Sequence, residues 1–270
     1  MIMNILLSIM GQEILMSTDN HQIIQYLRDT YFGYISKEEH ISTTYKKLDI
    51  DALIKNNPFI DSLAAVDNSI INLLNSNEQY YLLHAGLLLL DKQAFIICGK
   101  TKSGKSSACF LLQSLYDYAC MSDDIVFINK SNLRASSFFR PIKLREPVVE
   151  KYNLKQDVVF FEHDSDGIKR YILSNHQVPN NIKQQDFSIN AIIRIEYVHD
   201  NYNQVVEEIK GVSALQSLLL NSYTQDRLKN CYGVMTNLIR TSKVYQVRYN
   251  SPEYLNEILK NLSKIGVYCE

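Results

Sequence analysis

The sequence predicts an α/β protein built on a mixed sheet, with a small N-terminal α+β subdomain over residues 1–78 and the main domain over residues 79–270. Three observations predict it. From Tyr80 onward, strand-length apolar runs interleave with stretches of helical periodicity, without the strict strand–helix–strand repeat of an all-parallel sheet. The apolar run Phe95–Cys98 passes through a glycine-bearing loop straight into an amphipathic segment, Ser106–Leu115. The composition suits a packed core, with 46% hydrophobic and 21% charged residues in 270, enough for one large domain or two small ones.

Residues 4–16 read as strand, followed by a short helix in TDNHQIIQYLRDTYF capped by Thr18 or Asp19. The polar stretch Ser36–Thr44 leads to mixed signals over Tyr45–Ile54. Pro58 then punctuates before a helix over Leu63–Leu74, which ends at the turn Asn75-Ser76-Asn77. YYLLHAGLLLL and AFIIC read as two strands joined by the tight turn Asp91-Lys92-Gln93. The helix after the loop presents Ala108, Leu111, Leu112 and Leu115 as its apolar face, and YACMSDDIVFI reads as strand, acidic pair, strand. DVVFFEHDSDGIKRYILSN alternates on both sides of Ser165-Asp166-Gly167, the pattern of a hairpin. INAIIRIEYV is a further strand, VSALQSLLLNSY and QDRLKNCYGVMTNLIR are helices, and KVYQVRY is the last strand. Ser251-Pro252 opens a final helix, since proline suits the first helical position.

With 28 Lys and Arg against 29 Asp and Glu, the formal net charge is -1, which argues against nucleic acid or a membrane surface as partner. Any charged partner has to be met by a local site. The 5 cysteines (Cys98, Cys109, Cys120, Cys231, Cys269) are odd in number and lack C-x-x-C spacing, so they read as reduced, mostly buried thiols rather than disulfides or a zinc site. Met1–Met10 carries no positive leader or cleavage site, and Tyr80–Leu90 is interrupted by His84 and too short to span a bilayer. The expectation is a soluble, cytoplasmic protein. Its oligomeric state is left open by the sequence, a homo-oligomer included.

The loop Gly99-Lys100-Thr101-Lys102-Ser103-Gly104-Lys105-Ser106 fits G-x-x-x-x-G-K-[ST]. Such a loop wraps backbone N–H groups around phosphate oxygens, with glycine where the chain turns sharply or approaches the ligand. Lys105 would reach the β and γ phosphates, the Ser106 hydroxyl would ligate Mg²⁺, and the following helix would point its positive end at the anion. A lysine-rich surface turn is the plainer alternative, but it leaves the flanking strand and helix unexplained. Thr101-Lys102-Ser103 stands where such loops are often rich in Gly and Ala, so the backbone is less permissive, while Lys102 and Ser103 add groups that favour an anion.

Asp123-Asp124 follows the loop by about twenty residues. Phosphoryl transfer needs a carboxylate to hold the metal and a group to take the acceptor's proton, and two carboxylates beside a bound phosphate supply both. Alone, the pair would read as a solvated turn. His84, in an apolar strand, is on its own a satisfied core residue. Here its strand is expected to pair with the strand feeding the loop and bring the imidazole near the phosphates.

The order LLHAG, GKTKSGKSS, MSDDIVFI resembles the HPr kinase/phosphorylase-like family, and the similarity extends more weakly through RPIKLRE, DGIKRYILS and LLLNSY to residue 250. The resemblance implies a P-loop core related to phosphoenolpyruvate carboxykinase, and ATP- and Mg²⁺-dependent phosphorylation of a serine hydroxyl. It implies phosphate contacts at Gly99, Gly104, Lys105, Ser106 and Ser107, metal and base roles shared between Asp123 and Asp124, and His84 flanking the γ-phosphate. Bifunctional members are longer and carry a C-terminal signature absent here. The chain looks more like the stand-alone kinases that modify a ribosomal precursor peptide, such as lasso-peptide kinases. Arg140, Arg145 and Arg170, with Lys143 and Lys169, are candidate contacts to ATP or to an acidic or C-terminal carboxylate of that peptide, against the alternative of solvated faces. The competing readings are an HPr or small-metabolite kinase, and a regulator that binds ATP without transfer.

Overall fold

In the computed structural model, residues 2–36, 45–55, 59–155, 158–163, 167–173, 185–198, 204–223 and 228–266 are described. The chain divides into two units: Met1–Glu78 with Arg145–Lys183, and Gln79–Leu144 with Gln184–Glu270. Residues 145–183 thus belong with the first 78.

The run at 4–16, read as strand, is a hairpin of two strands. β1 (Met3–Ile9) and β2 (Gln12–Thr18) pair antiparallel around Met10-Gly11, which take φ of 50° and 71°, the left-handed pair that a two-residue hairpin turn needs. Apolar Met10 hides the turn from a reading by composition. α1 (His21–Thr30) is capped by Asn20, whose side chain accepts from the N–H groups of Gln22 and Ile23; Thr18, one of the two expected caps, instead donates to Asp51. β3 (Lys46–Asp49) lies parallel to β2, and α2 (Ile50–Ile54) leads to α3 (Phe59–Asn75), longer than expected at both ends. Buried Asp67 of α3 accepts hydrogen bonds from Tyr26 and Tyr31 at 2.8 and 2.9 Å, which satisfies both of its oxygens. Pro58 and nearly all of the Ser36–Thr44 stretch lie outside the described residues.

In the second unit the run Tyr80–Leu90 is two strands in two sheets, β4 (Tyr80–Leu83) and β5 (Gly86–Leu90). The corner falls at His84-Ala85, and a Cβ on Gly86 would lie 2.4 Å from Cys109 Sγ, so only glycine lets β5 resume there. β5 turns through Asp91-Lys92 into β6 (Gln93–Cys98). α4 (Lys105–Leu115), β7 (Ala119–Ser122), β8 (Val126–Asn129) and the short β9 (Ala135–Ser136) follow. On α4, Ala108, Leu111 and Leu112 are buried as expected, but Leu115 is exposed and Cys109 takes its place in the core.

After β10 (Lys143–Arg145) and α5 (Glu146–Lys151), β11 (Val158–His163) and β12 (Lys169–Leu173) form the antiparallel hairpin that their alternation predicts, with Ser165 and Asp166 outside the described residues. The chain ends in the second unit with β13 (Asp186–Phe187), β14 (Ile189–Tyr197), β15 (Val205–Ile209), α6 (Gly211–Leu219), α7 (Leu228–Thr241), β16 (Lys243–Tyr249) and α8 (Pro252–Gly266). Pro252 opens α8 as predicted.

The main sheet has the order β15-β16-β14-β6-β5-β7 and is mixed: β6, β14 and β16 are mutually parallel, and β5 is antiparallel to both β6 and β7. β4, β8, β9 and β13 form the second sheet. Leu112 of α4 and Leu255 and Leu259 of α8 pack over Phe95, Ile97, Ile193, Ile195 and Val247 on one face of the main sheet. Each such fully buried side chain contributes roughly 1.5–3 kcal/mol. Cys98, Cys109 and Cys231 are buried thiols, while Cys269 lies outside the described residues. No helix among the described residues is long and apolar enough to cross a membrane.

This topology sends five segments to one edge. The loop after β6, the ends of β14 and β16, the acidic pair after β7 and His84 before β5 all emerge where the parallel strands finish, the edge at which open α/β sheets bind ligands.

Candidate active site

Two different crowdings set the loop's glycines. A Cβ on Gly99 would lie 2.5 Å from Ser103 Oγ and 2.6 Å from the Ile195 carbonyl, because the loop folds back on itself against β14. Gly104 takes the left-handed φ of 90° as it enters α4, and a Cβ there would lie 2.5 Å from the Tyr249 hydroxyl, which donates to Gly104 O at 3.2 Å. Lys102 also sits at a left-handed φ of 69°, at a cost on the order of 1 kcal/mol without glycine's freedom. That is where the replacement of Gly and Ala in the loop's middle is felt.

Lys105, 8% exposed, donates from Nζ to Gly99 O at 2.8 Å and Lys100 O at 3.3 Å, so its ammonium stands inside the loop. Burial pulls its pKa down, and Asp124, Cys98 and Asp123 oppose that pull. Ser103 Oγ is buried with no hydrogen-bond partner. Gly104 brings no side chain to the start of α4, so the first-turn N–H groups there have no side-chain cap, and Ser106 and Ser107 stand half-buried among them. Gly104→Ala is expected to destabilise the fold by about 1–3 kcal/mol, with Tyr249→Phe restoring only part because the left-handed backbone stays strained. Melting curves of the two variants and their double mutant check this; wild-type stability in Gly104→Ala would contradict it.

The acidic pair is asymmetric. Asp123 is 5% exposed, and the neighbouring Ser106 hydroxyl favours its ionised form. Burial, then the Asp124 charge, push its carboxyl up to about 6, against the opposing pull of Ser106, Lys105 and His84. Its Oδ1 is buried with no hydrogen-bond partner. Asp124 instead has a side chain 47% exposed and holds a left-handed φ of 78°, a conformation Asp tolerates better than most residues. Its crowded setting opposes ionisation, but His84, by hydrogen bond and charge, and then Arg140 and Lys143 hold its carboxyl well below the usual carboxylate range.

His84 Nε2 donates to Asp124 Oδ1 at 2.8 Å. The imidazole gets there by a route other than the expected one. It stands at the corner between two sheets, where β4 pairs with β8 and only β5 pairs with the loop-feeding β6. A strap after α6 fixes that corner. Asn221, 4% exposed, accepts the His84 N–H on its backbone oxygen at 2.6 Å, accepts the Gly99 N–H on Oδ1 at 3.2 Å, and donates from Nδ2 to Ser217 O at 2.7 Å. The Tyr223 ring lies 5.7 Å from that of His84, and its hydroxyl donates to Asp124 O at 3.4 Å. Asn221 and Tyr223 were missed as site residues; their sequence signal, a polar triplet ending a leucine run, says where a helix stops but not what it packs against.

Among the described residues, no cluster of three or more His, Cys, Asp or Glu is set to hold a metal by itself. The donor set suits Mg²⁺ bound in part by a ligand: the Ser106 hydroxyl, the Asp123 carboxylate with its unpartnered buried Oδ1, and oxygens from phosphates and water. Arg140, 7% exposed, shares this unit and acts on Asp124, whereas Arg145, Lys169 and Arg170 belong to the first unit.

No protein-family model matches the chain, and no curated protein matches it. Among solved structures, it is similar to the Hpr(Ser) kinase/phosphatase from Coxiella burnetii over 67% of this chain and 94% of that one, at 13% sequence identity and a TM-score of 0.31. A likeness of that depth assigns neither an activity nor a residue's role.

Proposed function

We propose that the protein is an ATP- and Mg²⁺-dependent kinase that phosphorylates a serine hydroxyl on a peptide or small protein, such as a ribosomally made natural-product precursor. The observation that carries this is the convergence, at one sheet edge, of a lysine-bearing loop at a helix start with two adjacent carboxylates, one buried and one open to solvent, whose proton affinities are shifted in opposite directions. A protein that only bound nucleotide would need one metal carboxylate and no second group beside it.

The roles follow from access. Asp123, buried beside Ser106, holds the metal with that hydroxyl. Bound Mg²⁺ supplies neutralisation of the phosphate charge. Lys105 stabilises the oxygens of the transferred group, and the α4 N–H groups cradle the remaining phosphates. Asp124 is the carboxylate an acceptor can reach. It orients the serine O–H and takes its proton as the oxygen bonds to phosphorus and the bond to the ADP oxygen breaks. Its low proton affinity suits a loose transition state, in which the proton leaves late and base strength matters little. His84 fixes the direction in which Asp124 faces.

Incubation with MgATP and serine-bearing peptides, read as a mass gain of about 80 Da for one phosphoryl group, tests the reading. ATP binding with no transfer to any acceptor would favour the regulator. Because Asp123 must ionise to hold the metal, the Mg²⁺ concentration for half-maximal rate is expected to rise about fourfold between pH 7.5 and 5.5, as protonation of a group at about 6 competes with the ion. An unchanged requirement would remove Asp123 from the metal site.

A further inference from the structure

Tyr197 and Tyr249 are used by none of the chemistry above, yet both are tied to the loop. The Tyr197 N–H donates to Ser103 O at 3.1 Å, and the Tyr249 hydroxyl donates to Gly104 O at 3.2 Å. They are register partners at the ends of β14 and β16, with rings edge-to-face at 5.6 Å and 79°. Tyr249 is 4% exposed and Tyr197 41% exposed, so one ring fixes the other while much of Tyr197 stays open to solvent.

We propose that Tyr197 is the stacking platform for the base of the bound nucleotide, with Tyr249 as its support. This rests on the phosphate-binding reading of the loop and adds the site's nucleoside end. The sheet order supplies direction: β6 lies between β5 and β7 on one side and β14 and β16 on the other. The acidic pair and His84 belong to the first side, the two tyrosines to the second. A polyphosphate lying in the loop with its reacting end at the acidic pair therefore sends its opposite end toward Tyr197.

The face of the sheet agrees. Ile193, Ile195 and Tyr249 belong to the core beneath α4 and α8, and Tyr197, two residues beyond Ile195, points to the same side, where α4 begins. A Cβ on Gly104 would lie 3.4 Å from that of Tyr197, so the Tyr197 side chain starts directly beside the first turn of α4. The ligand class is a nucleoside di- or triphosphate. Stacking accepts any planar base, so the site prefers nucleotides to bare polyphosphate without selecting adenine.

The test compares MgADP with magnesium tripolyphosphate, which shares the charge but has no base, by titration calorimetry on the full chain. Tyr197→Ala is expected to weaken ADP binding by roughly 5- to 100-fold, the worth of one aromatic–base stack, and to leave tripolyphosphate binding unchanged; Tyr197→Phe should match the wild type for both. Wild-type ADP affinity in Tyr197→Ala overturns the proposal. Equal loss of both ligands also overturns it, reducing Tyr197 to a support of the loop. A wild-type protein that binds neither ligand would refute the phosphate site itself, a result distinct from the other two.

Discussion

Lys105→Ala is expected to lower phosphoryl transfer by about 10²–10³-fold or more, the scale of losing one preorganised charge contact to the transition state, while the protein stays folded. Stability should hold or rise. An ammonium 8% exposed that donates to two backbone carbonyls, Gly99 O and Lys100 O, is held at a desolvation cost, and its lowered pKa reports that cost. Since the native state binds this proton less tightly than the unfolded chain, the wild type gains stability as pH rises from the native pKa toward the ordinary lysine value. Lys105→Met, which keeps the apolar stem, should lose that slope and melt no lower than wild type at neutral pH. Calorimetry at several pH values checks the stability, and near-normal turnover in Lys105→Ala would end the phosphate-loop assignment.

The two aspartates should fail in opposite ways. Asp123→Asn is expected to be severely impaired, with partial rescue by higher Mg²⁺ or by Mn²⁺, and yet to melt higher. A native carboxyl at about 6 against an ordinary 3.8 carries a penalty that is absent below pH 4 and complete above pH 6, on the order of 1–3 kcal/mol, and asparagine removes it. That corresponds to a rise of a few degrees for a chain of this size. Asp124→Asn should bind nucleotide nearly as well and lose about 10²-fold in kcat, the smaller end of general-base effects, without metal rescue. Its melting temperature should not rise, because a carboxyl held below its ordinary range stabilises the fold at neutral pH and loses that contribution only in acid. Metal titrations and melting curves of the two variants decide. Full activity in either would move the reaction away from the acidic pair.

The local parts of this arrangement were legible because each is a contiguous pattern. The glycine spacing, the lysine and serine after Gly104 and the adjacent aspartates each need a few neighbouring residues, and the strands and helices around them follow from periodicity. What escaped was set by partners far along the chain. Asn221 meets Gly99 across 122 positions, and Tyr249 meets Gly104 across 145, so nothing near either residue announces the contact. Met10 and the His84-Ala85 corner escaped for a different reason. Both lie inside apolar runs, where a turn made by Met-Gly or a change of sheet leaves the hydrophobic pattern intact.

The interleaving of the two units bears on how the chain is made. Residues 79–144 leave the ribosome before the first unit has received its remaining segment, 145–183. β6 then waits about 90 residues for its parallel neighbour β14, roughly 5–20 s at ordinary elongation rates. Until that partner arrives, Phe95-Ile96-Ile97-Cys98 offers one unpaired, wholly apolar backbone edge to other nascent chains. Its yield in a cell should therefore depend on translation speed and on chaperones that shield that edge more than the stability of the finished fold would suggest.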